Sequence, residues 1–527
     1  MPDTNFLADH LTRAARTTPD APLFCDPEGM VKLTYGSFLA QAEAIAAVLL
    51  SVGLQPGDRV AVQAPKTPEM VQLYLGTVMA GGVFLPLNTA YTPSEMAYFL
   101  NDAAPLVLVC DPDSVDTLAD IAHANGVRHV FTLGNDGGGS LRAARDVAGS
   151  GFNPVPRGPE DMAAVLYTSG TTGRSKGAVL SHRSLVSNAQ ALVQLWRFEP
   201  ADVLLHALPI FHIHGLFVAL NITLTAGASC LWFPAFDAPA VLNALPRASV
   251  MMGVPTFYTR LSGLPGLAQA TRNVRLFVSG SAPLLAETHR QWQAVTGQAI
   301  LERYGMTETN MNTSNPYDGE RRPGTVGFPL PGVELRVSDP ASGVPLPQGE
   351  IGSIEVRGPN LFSGYLNLPE KTAEEMRTDG FFITGDLGRI DAEGYLHIVG
   401  RSKDLIISGG YNIYPREIEL LLDSMPGVVE SAVFGVPHPD MGEAVVAVVV
   451  PERGNTLTEA GLLAGLSMQL ARFKQPRRIL IVDEVPRNAM GKVQKALLRS
   501  EMAGLFKTAI PETPEKYLTP IARQSGR

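Results

Sequence analysis

Residues 167–182 read YTSGTTGRSKGAVLSH, a run that crowds threonine, serine and glycine around Arg174 and Lys176. Upstream, MAAVLY (162–167) has the character of a buried strand. Downstream, GAVL (177–180) is a second apolar run, and SHRSLVSNAQALVQLW (181–196) carries apolar residues at helical spacing. A loop of this composition between such elements reads as an anion cradle rather than a flexible linker. Glycines let the backbone approach, hydroxyls and amides donate, and Lys176 adds a mobile charge. It is not a Walker A loop, because no glycine stands four residues before a Gly-Lys-Ser/Thr triplet, so the P-loop NTPase fold does not follow.

Working outward, short apolar runs (RVAVQA 59–64, LVLVC 106–110, HVFTL 129–133, SVMMGV 249–254, VRLFVSG 274–280) alternate with helix-like segments such as 35–53 and 69–82 up to about residue 335. That alternation predicts an α/β fold with largely parallel strands. From about 340 to 400 the chain becomes alternating and Gly-punctuated, as in GSIEVRGP (352–359) and GFFITGDLGRIDAEGYLHIVGR (380–401), which predicts antiparallel strands and hairpins. After Arg401 a third texture begins. DLIISGGYNIY (404–414) is strand-like, PREIELLLDSMP (415–426) is a helix opened by Pro415, 428–436 and 443–452 form a hairpin, 457–473 is a helix and 477–485 a strand. The expected organisation is a large N-terminal domain (1–400) of α/β subdomains plus a β-rich subdomain, a small α+β C-terminal domain (401–506), and a mobile tail (507–527).

The length of 527 residues exceeds what one core organises, so at least two domains are expected. A net charge of -9 argues against a general nucleic-acid binder. Cys25, Cys110 and Cys230 are scattered, which supports neither a disulfide framework nor a zinc site and fits a reducing cytosol. No signal peptide is read at the N-terminus, and 216–233, LFVALNITLTAGASCLWF, suits a buried helix followed by a strand better than a membrane span. The expectation is a soluble, cytoplasmic protein.

Four further stretches each put small or polar residues after a strand-like run, where open α/β sheets bind ligands: VSGSAPL (278–284), ERYGMTET (302–309), FFITGDLG (381–388) and VGRSKDLIISGGYNIYP (399–415). With the 167–182 loop and PRNAMGK, which ends at Lys492, they stand in the chain order of the signature set of the adenylate-forming family. That family includes acyl-CoA synthetases, luciferases and peptide-synthetase adenylation domains, and the resemblance spans roughly residues 10–500. It implies a large N-terminal domain, a small mobile C-terminal domain, and ATP and a carboxylate as substrates. By the resemblance, Thr168, Ser169, Gly170, Thr171, Thr172 and Gly173 with Lys176 hold the β- and γ-phosphates, Thr307 meets the α-phosphate, and Glu308 binds Mg²⁺. Gly280, Ser281 and Ala282 with Glu302, Arg303, Tyr304, Gly305 and Met306 line the adenine, Asp386 accepts from the ribose hydroxyls with Arg401 nearby, and Lys492 is the catalytic lysine. Bringing a carboxylate onto a phosphate unites two anions, so positioned cations, amides and a metal are what the chemistry demands. In acyl-CoA synthetases the small domain turns about a residue that resembles Lys403, bringing Ser408, Gly409, Gly410 and Tyr411 in to form the pantetheine tunnel for CoA.

A dicarboxylate would leave its second charge buried unless a cation pairs it. Candidates are His212 and His214 in LPIFHIHGLF (208–217), Arg260 in GVPTFYTRL (253–261), and Arg321 and Arg322. Residues 305–327 together with 253–261 are most similar to malonyl-CoA synthetases, which implies malonate, or methylmalonate, as the acid. Arg260 is the leading partner for the distal carboxylate, with Ser279 and His212 as helpers and Met306 beside the acyl group; the alternative is a helix-end arginine reaching water. Competing functions are a short-chain or aromatic acyl-CoA synthetase, a luciferase-like monooxygenase, and an enzyme that loads a separate carrier protein. No tightly bound organic cofactor, nucleic acid or membrane is expected.

Overall fold

Strands Met162–Thr168 and Lys176–Ser181 pair antiparallel, with Val165 opposite Val179 and Thr168 opposite Lys176, so the loop between them closes a hairpin. The computed structural model describes residues 4–149, 152–168, 175–409, 411–487 and 492–506. Ser169, Gly170, Thr171, Thr172 and Gly173, residue Gly410 and the 507–527 tail lie outside them.

The hairpin belongs to a seven-stranded sheet ordered Gly364–Tyr365, Lys176–Ser181, Met162–Thr168, Val83–Pro86, Arg59–Gln63, Val107–Cys110, His129–Thr132. Its middle strands run parallel, as the alternation predicts. A nine-stranded sheet is ordered Phe328–Pro329, Asn310–Ser314, Leu301–Met306, Leu276–Ser279, Val250–Gly253, Val203–His206, Ser229–Trp232, Pro22–Cys25, Val31–Thr34, and it too is parallel through its centre. Both sheets lie in the larger of two compact units, Met1–Arg336 with Glu355–Ile383.

Helix Pro68–Met79 is buried all round from Met70 onward, the pattern of a core helix rather than a surface one. It can lie against helix Tyr35–Ser51 because residue 76 is glycine: a β-carbon there would stand 2.8 Å from the Ala42 carbonyl oxygen. Thr34 caps the second helix through a capping box with Ser37. Tyr35 Oη lies 2.7 Å from the Ala228 carbonyl, which ties this helix to the nine-stranded sheet. The apolar run 216–233 folds as expected: a π-helical stretch His214–Leu220, a helix Asn221–Ala226, then strand Ser229–Trp232. Among the described residues no helix is long and apolar enough to cross a membrane.

The smaller unit comprises Val337–Ile354 and Thr384 onward, so the division passes through strands Glu334–Ser338, Gly352–Arg357 and Phe382–Ile390. Its main sheet has five strands built on the long hairpin Val428–His438 with Gly442–Pro451. Alternate side chains feed two cores, Val433, Val445 and Leu462 on one face and Phe434, Val446 and Met502 on the other.

Three expectations change. Residues 302–306 and 382–388 lie inside strands Leu301–Met306 and Phe382–Ile390 instead of after them. Polar residues buried within these strands, Glu302, Arg303 and Asp386, hide the apolar signature. Residues 404–414 form a hairpin, Ile406–Ser408 with Tyr411–Ile413. The helix expected over 457–473 is limited to Glu459–Ser467, where two glycines weaken it, and Met468 beyond is exposed.

Candidate active site

In the larger unit, Lys176 opens its strand with its ammonium 3.1 Å from Glu375 Oε1 and 3.8 Å from the centre of the Tyr365 ring. Tyr365 is buried, and its hydroxyl lies 2.6 Å from Glu375 Oε2 and 3.0 Å from Glu308 Oε1. Burial, the Glu308 charge and Glu375 push its phenol pKa far up. Burial works to raise the Glu375 pKa, but bonds from Tyr365, Lys176 and Lys371 outweigh it and hold that carboxyl below the usual range. Thr307 and Glu308 occupy the turn between strands Leu301–Met306 and Asn310–Ser314, Thr307 half-buried and Glu308 buried. Thr168 sits at the end of its strand, its hydroxyl 3.5 Å from the Lys176 carbonyl.

The second cluster surrounds Arg303, which is 4% exposed. Gly280 makes room for it: a β-carbon at residue 280 would lie 2.3 Å from Arg303 Cζ. Arg303 Nε and Nη2 have no hydrogen-bond partner among the described residues, and neither does His214 Nε2. Burial lowers the Arg303 pKa to about 9, so the group remains cationic at neutral pH. His214 is buried at the start of the π-helical stretch, a feature that recurs at functional sites. Burial and then the Arg303 charge hold its pKa well below the usual value, so it is neutral. Its Nδ1 lies 3.2 Å from Ser281 Oγ, and Ser281 itself has φ +71°, a left-handed backbone that costs a serine energy. His212 is half-buried beside Phe211.

Several sequence-based placements shift. Arg260 lies in the last turn of helix Pro255–Ser262 and is exposed, whereas Arg303, expected along the adenine, is buried. Glu302 is committed to the scaffold, its Oε1 3.3 Å from His289 Nδ1 and accepting from the Gly324 amide at 3.2 Å. Ser279 pairs in register with Glu302, one residue out of step with Arg303, and its hydroxyl is buried without a partner among the described residues. Arg321 donates to three backbone carbonyls, and Arg322 pairs with Glu320. Tyr304 is buried, while Gly305, Met306 and Ala282 are half-buried.

In the smaller unit, Asp386 and Arg401 face each other across the Phe382–Ile390 and Leu396–Arg401 hairpin, with Arg401 Nε 2.7 Å from Asp386 Oδ1. Lys403 is exposed in the turn that follows. Ser408 is buried, the Gly409 amide donates to the Met441 carbonyl at 2.9 Å, and Tyr411 is exposed with its ring 4.6 Å from that of Phe473. Lys492 is exposed beside the Arg487–Val493 bridge; residues 488–491 lie outside the described set.

Residues 11–366 match the AMP-binding enzyme family, and residues 417–492 match the AMP-binding enzyme C-terminal domain. The chain belongs to the AMP-binding enzymes. ATP-bound MatB from Rhodopseudomonas palustris is 56% identical with a TM-score of 0.92, over 95% of this chain and 99% of that one. The malonate–CoA ligase of Arabidopsis thaliana is 36% identical over 85% of this chain and 79% of its own length. A feruloyl-CoA synthase of Amycolatopsis is also 36% identical, over 92% and 97%.

An AMP-binding enzyme of this kind must manage polyphosphate charge, and the donor set bears on how a metal would be held. Among the described residues no three His, Cys, Asp or Glu side chains converge to form a metal cage. Mg²⁺ is commonly bound by one or two carboxylates with substrate phosphates and water completing the octahedron, and the buried carboxylate of Glu308 suits that manner of binding. Two residues that the structure brings to Lys176 and Glu308 escape a motif-by-motif reading: Tyr365 and Glu375, from GYLNLPEKTAEE (364–375). The visible signal was only a Gly-Tyr step ahead of a short acidic helix.

Proposed function

We propose that the chain is an AMP-forming malonate–CoA ligase. The malonate carboxylate attacks the α-phosphorus of ATP, pyrophosphate leaves, and the CoA thiolate then displaces AMP from malonyl-adenylate to give malonyl-CoA. The observation that carries the acid's identity is the buried Arg303, a cation with two nitrogens that no group among the described residues accepts from. Leaving a charge unpaired in the interior costs several kcal/mol. An acid with a second, distal carboxylate turns that liability into a charge-assisted bond of the kind arginine makes in bidentate form. Neutral His214 beside it supplies a further polar nitrogen without adding repulsion between cations. An aryl or alkyl acid offers Arg303 nothing, so the 56% identity to MatB weighs more here than the feruloyl relative. Methylmalonate differs by one methyl group, a modest penalty in a tolerant pocket.

Within this reading Lys176 draws on the polyphosphate, Thr307 meets the α-phosphate, and Asp386 with Arg401 serves the ribose. Glu308 would hold Mg²⁺, which when bound neutralises phosphate charge. Lys492 stabilises the charge that develops as the adenylate forms, and the Ser408–Tyr411 hairpin receives the pantetheine arm after movement about Lys403. The three buried, unpaired cysteines favour the cytosol over an oxidising compartment.

The test is AMP and thioester formation from ATP and CoA across malonate, methylmalonate, succinate, acetate, hexanoate and benzoate. A preference for malonate over acetate of at least about a hundredfold, the scale of a satisfied buried charge, is expected. Preference for hexanoate or benzoate would leave an acyl-CoA ligase but remove malonate as its acid.

A further inference from the structure

The strand Gly364–Tyr365 is a two-residue edge strand laid against Lys176–Ser181, with Tyr365 opposite Ala178. The amide of Ser363 donates to the Val179 carbonyl at 2.8 Å and that of Leu366 to Gly177 at 2.8 Å. Thr372 then staples the returning chain: its hydroxyl oxygen accepts from the Tyr365 amide at 2.9 Å and lies 3.0 Å from the Leu368 carbonyl. This segment delivers two groups to Lys176, an aromatic face and a carboxylate. The Lys176 and Glu375 side chains are 20% and 23% exposed, so the pair is partly shielded from water.

Two details make the pair exchangeable. Glu375 Oε1 also lies 3.2 Å from Lys371 Nζ, so Glu375 keeps a cation when Lys176 leaves. The Tyr365 hydroxyl has one proton and two carboxylates in reach, Glu308 and Glu375, and can donate to only one at a time. A polyphosphate carries several charges against the single charge of Glu375, so Coulomb attraction favours passing the lysine to it.

We propose that Glu375 is a stand-in for phosphate: it holds Lys176 while no polyphosphate is bound, yields it to ATP, and competes to reclaim it as pyrophosphate departs. Tyr365 links the exchange to Glu308, its hydroxyl serving whichever carboxylate the lysine's movement leaves in need. Glu375 is thus a positioning residue that weakens product binding. The inference rests on the reading that Lys176 engages the polyphosphate.

The experiment is calorimetric titration of the full-length protein with inorganic pyrophosphate at fixed magnesium. Glu375→Gln should bind pyrophosphate about 5-fold more tightly, the equivalent of one partly shielded ion pair, and should be correspondingly more inhibited by it. Tyr365→Phe, which keeps the ring under Lys176, should move affinity the same way by less, and it serves if Glu375→Gln does not fold. Lys176→Met should weaken binding, and Glu375→Gln added to it should then change nothing. If Lys176→Met weakens binding but neither Glu375→Gln nor Tyr365→Phe tightens it, the stand-in role is wrong while the phosphate role of Lys176 survives. If Lys176→Met leaves pyrophosphate affinity unchanged, the underlying reading of Lys176 is wrong.

Discussion

Arg303 fills the space that a β-carbon on residue 280 would need, its Cζ 2.3 Å from that position. The smallest side chain change therefore acts on the guanidinium itself. Gly280→Ala should raise the malonate KM about tenfold or more, the kinetic equivalent of a modest overpacking strain, with the ATP KM within about twofold of the parent. Steady-state kinetics with each substrate varied would check this; a parallel rise in both constants would mean the strand end, rather than Arg303, had moved.

Replacing the cation separates the two arginines. Arg303→Met should lower kcat/KM for malonate by about 10²–10³-fold, the range for losing one partner of a buried charge pair, and affect acetate far less. Arg260→Ala, on an exposed helix turn, should stay within about twofold. The reverse pattern would hand the distal carboxylate to Arg260.

Lys492 offers a test of the two half-reactions. Lys492→Ala should depress malonate-dependent pyrophosphate exchange by about 10²-fold or more, the size of a lost charge-stabilising donor. Thioester formation from supplied malonyl-adenylate should be comparatively spared, as followed by CoA consumption. Equal loss in both assays would remove the lysine from the first step.

A pH dependence follows from His182. The Leu7 amide donates to its Nδ1 at 3.2 Å, so that nitrogen must stay unprotonated, and burial followed by the Arg157 charge lowers the ring pKa from 6.5 to about 4. The unfolded chain takes up a proton at 6.5 that the folded one refuses. The stabilisation is therefore full above about 6.5 and is lost as pH falls toward 4, by about 3 kcal/mol for a displacement of this size. Trp196, Trp232 and Trp292 all lie in the larger unit, so tryptophan fluorescence during urea unfolding at pH 7.5 and 5 isolates it. His182→Gln, whose carboxamide can still accept from Leu7, should flatten the pH slope; an unchanged slope would assign it to other groups.

The fold was legible where strands are apolar throughout, as in Val107–Cys110 and Val250–Gly253, because parallel strands buried on both faces read as unbroken apolar runs. It was illegible where the chain buries charge. Glu302 and Arg303 sit side by side in a strand, each satisfied or awaited on its own side, and no pattern of hydrophobicity reveals that. The candidate site was legible in the same measure. Lys176 and Glu308 announce themselves by their surroundings in sequence, but Glu375 stands 199 residues from the lysine it holds. A helix-end arginine such as Arg260 and a pocket arginine look alike in sequence until the helix is set toward or away from solvent.

The three cysteines bear on a hazard that accompanies a mixed anhydride. Malonyl-adenylate is an acylating agent, and a thiolate is the nucleophile it meets most readily. Cys25, Cys110 and Cys230 are every thiol the chain has, and each sits in a strand with its sulfur buried. Burial pushes all three pKa values up, that of Cys110 to about 11. The protein thus keeps its own sulfur out of reach and in the unreactive form, so that the activated acid is left to the thiol that enters from outside, and the catalyst does not consume itself.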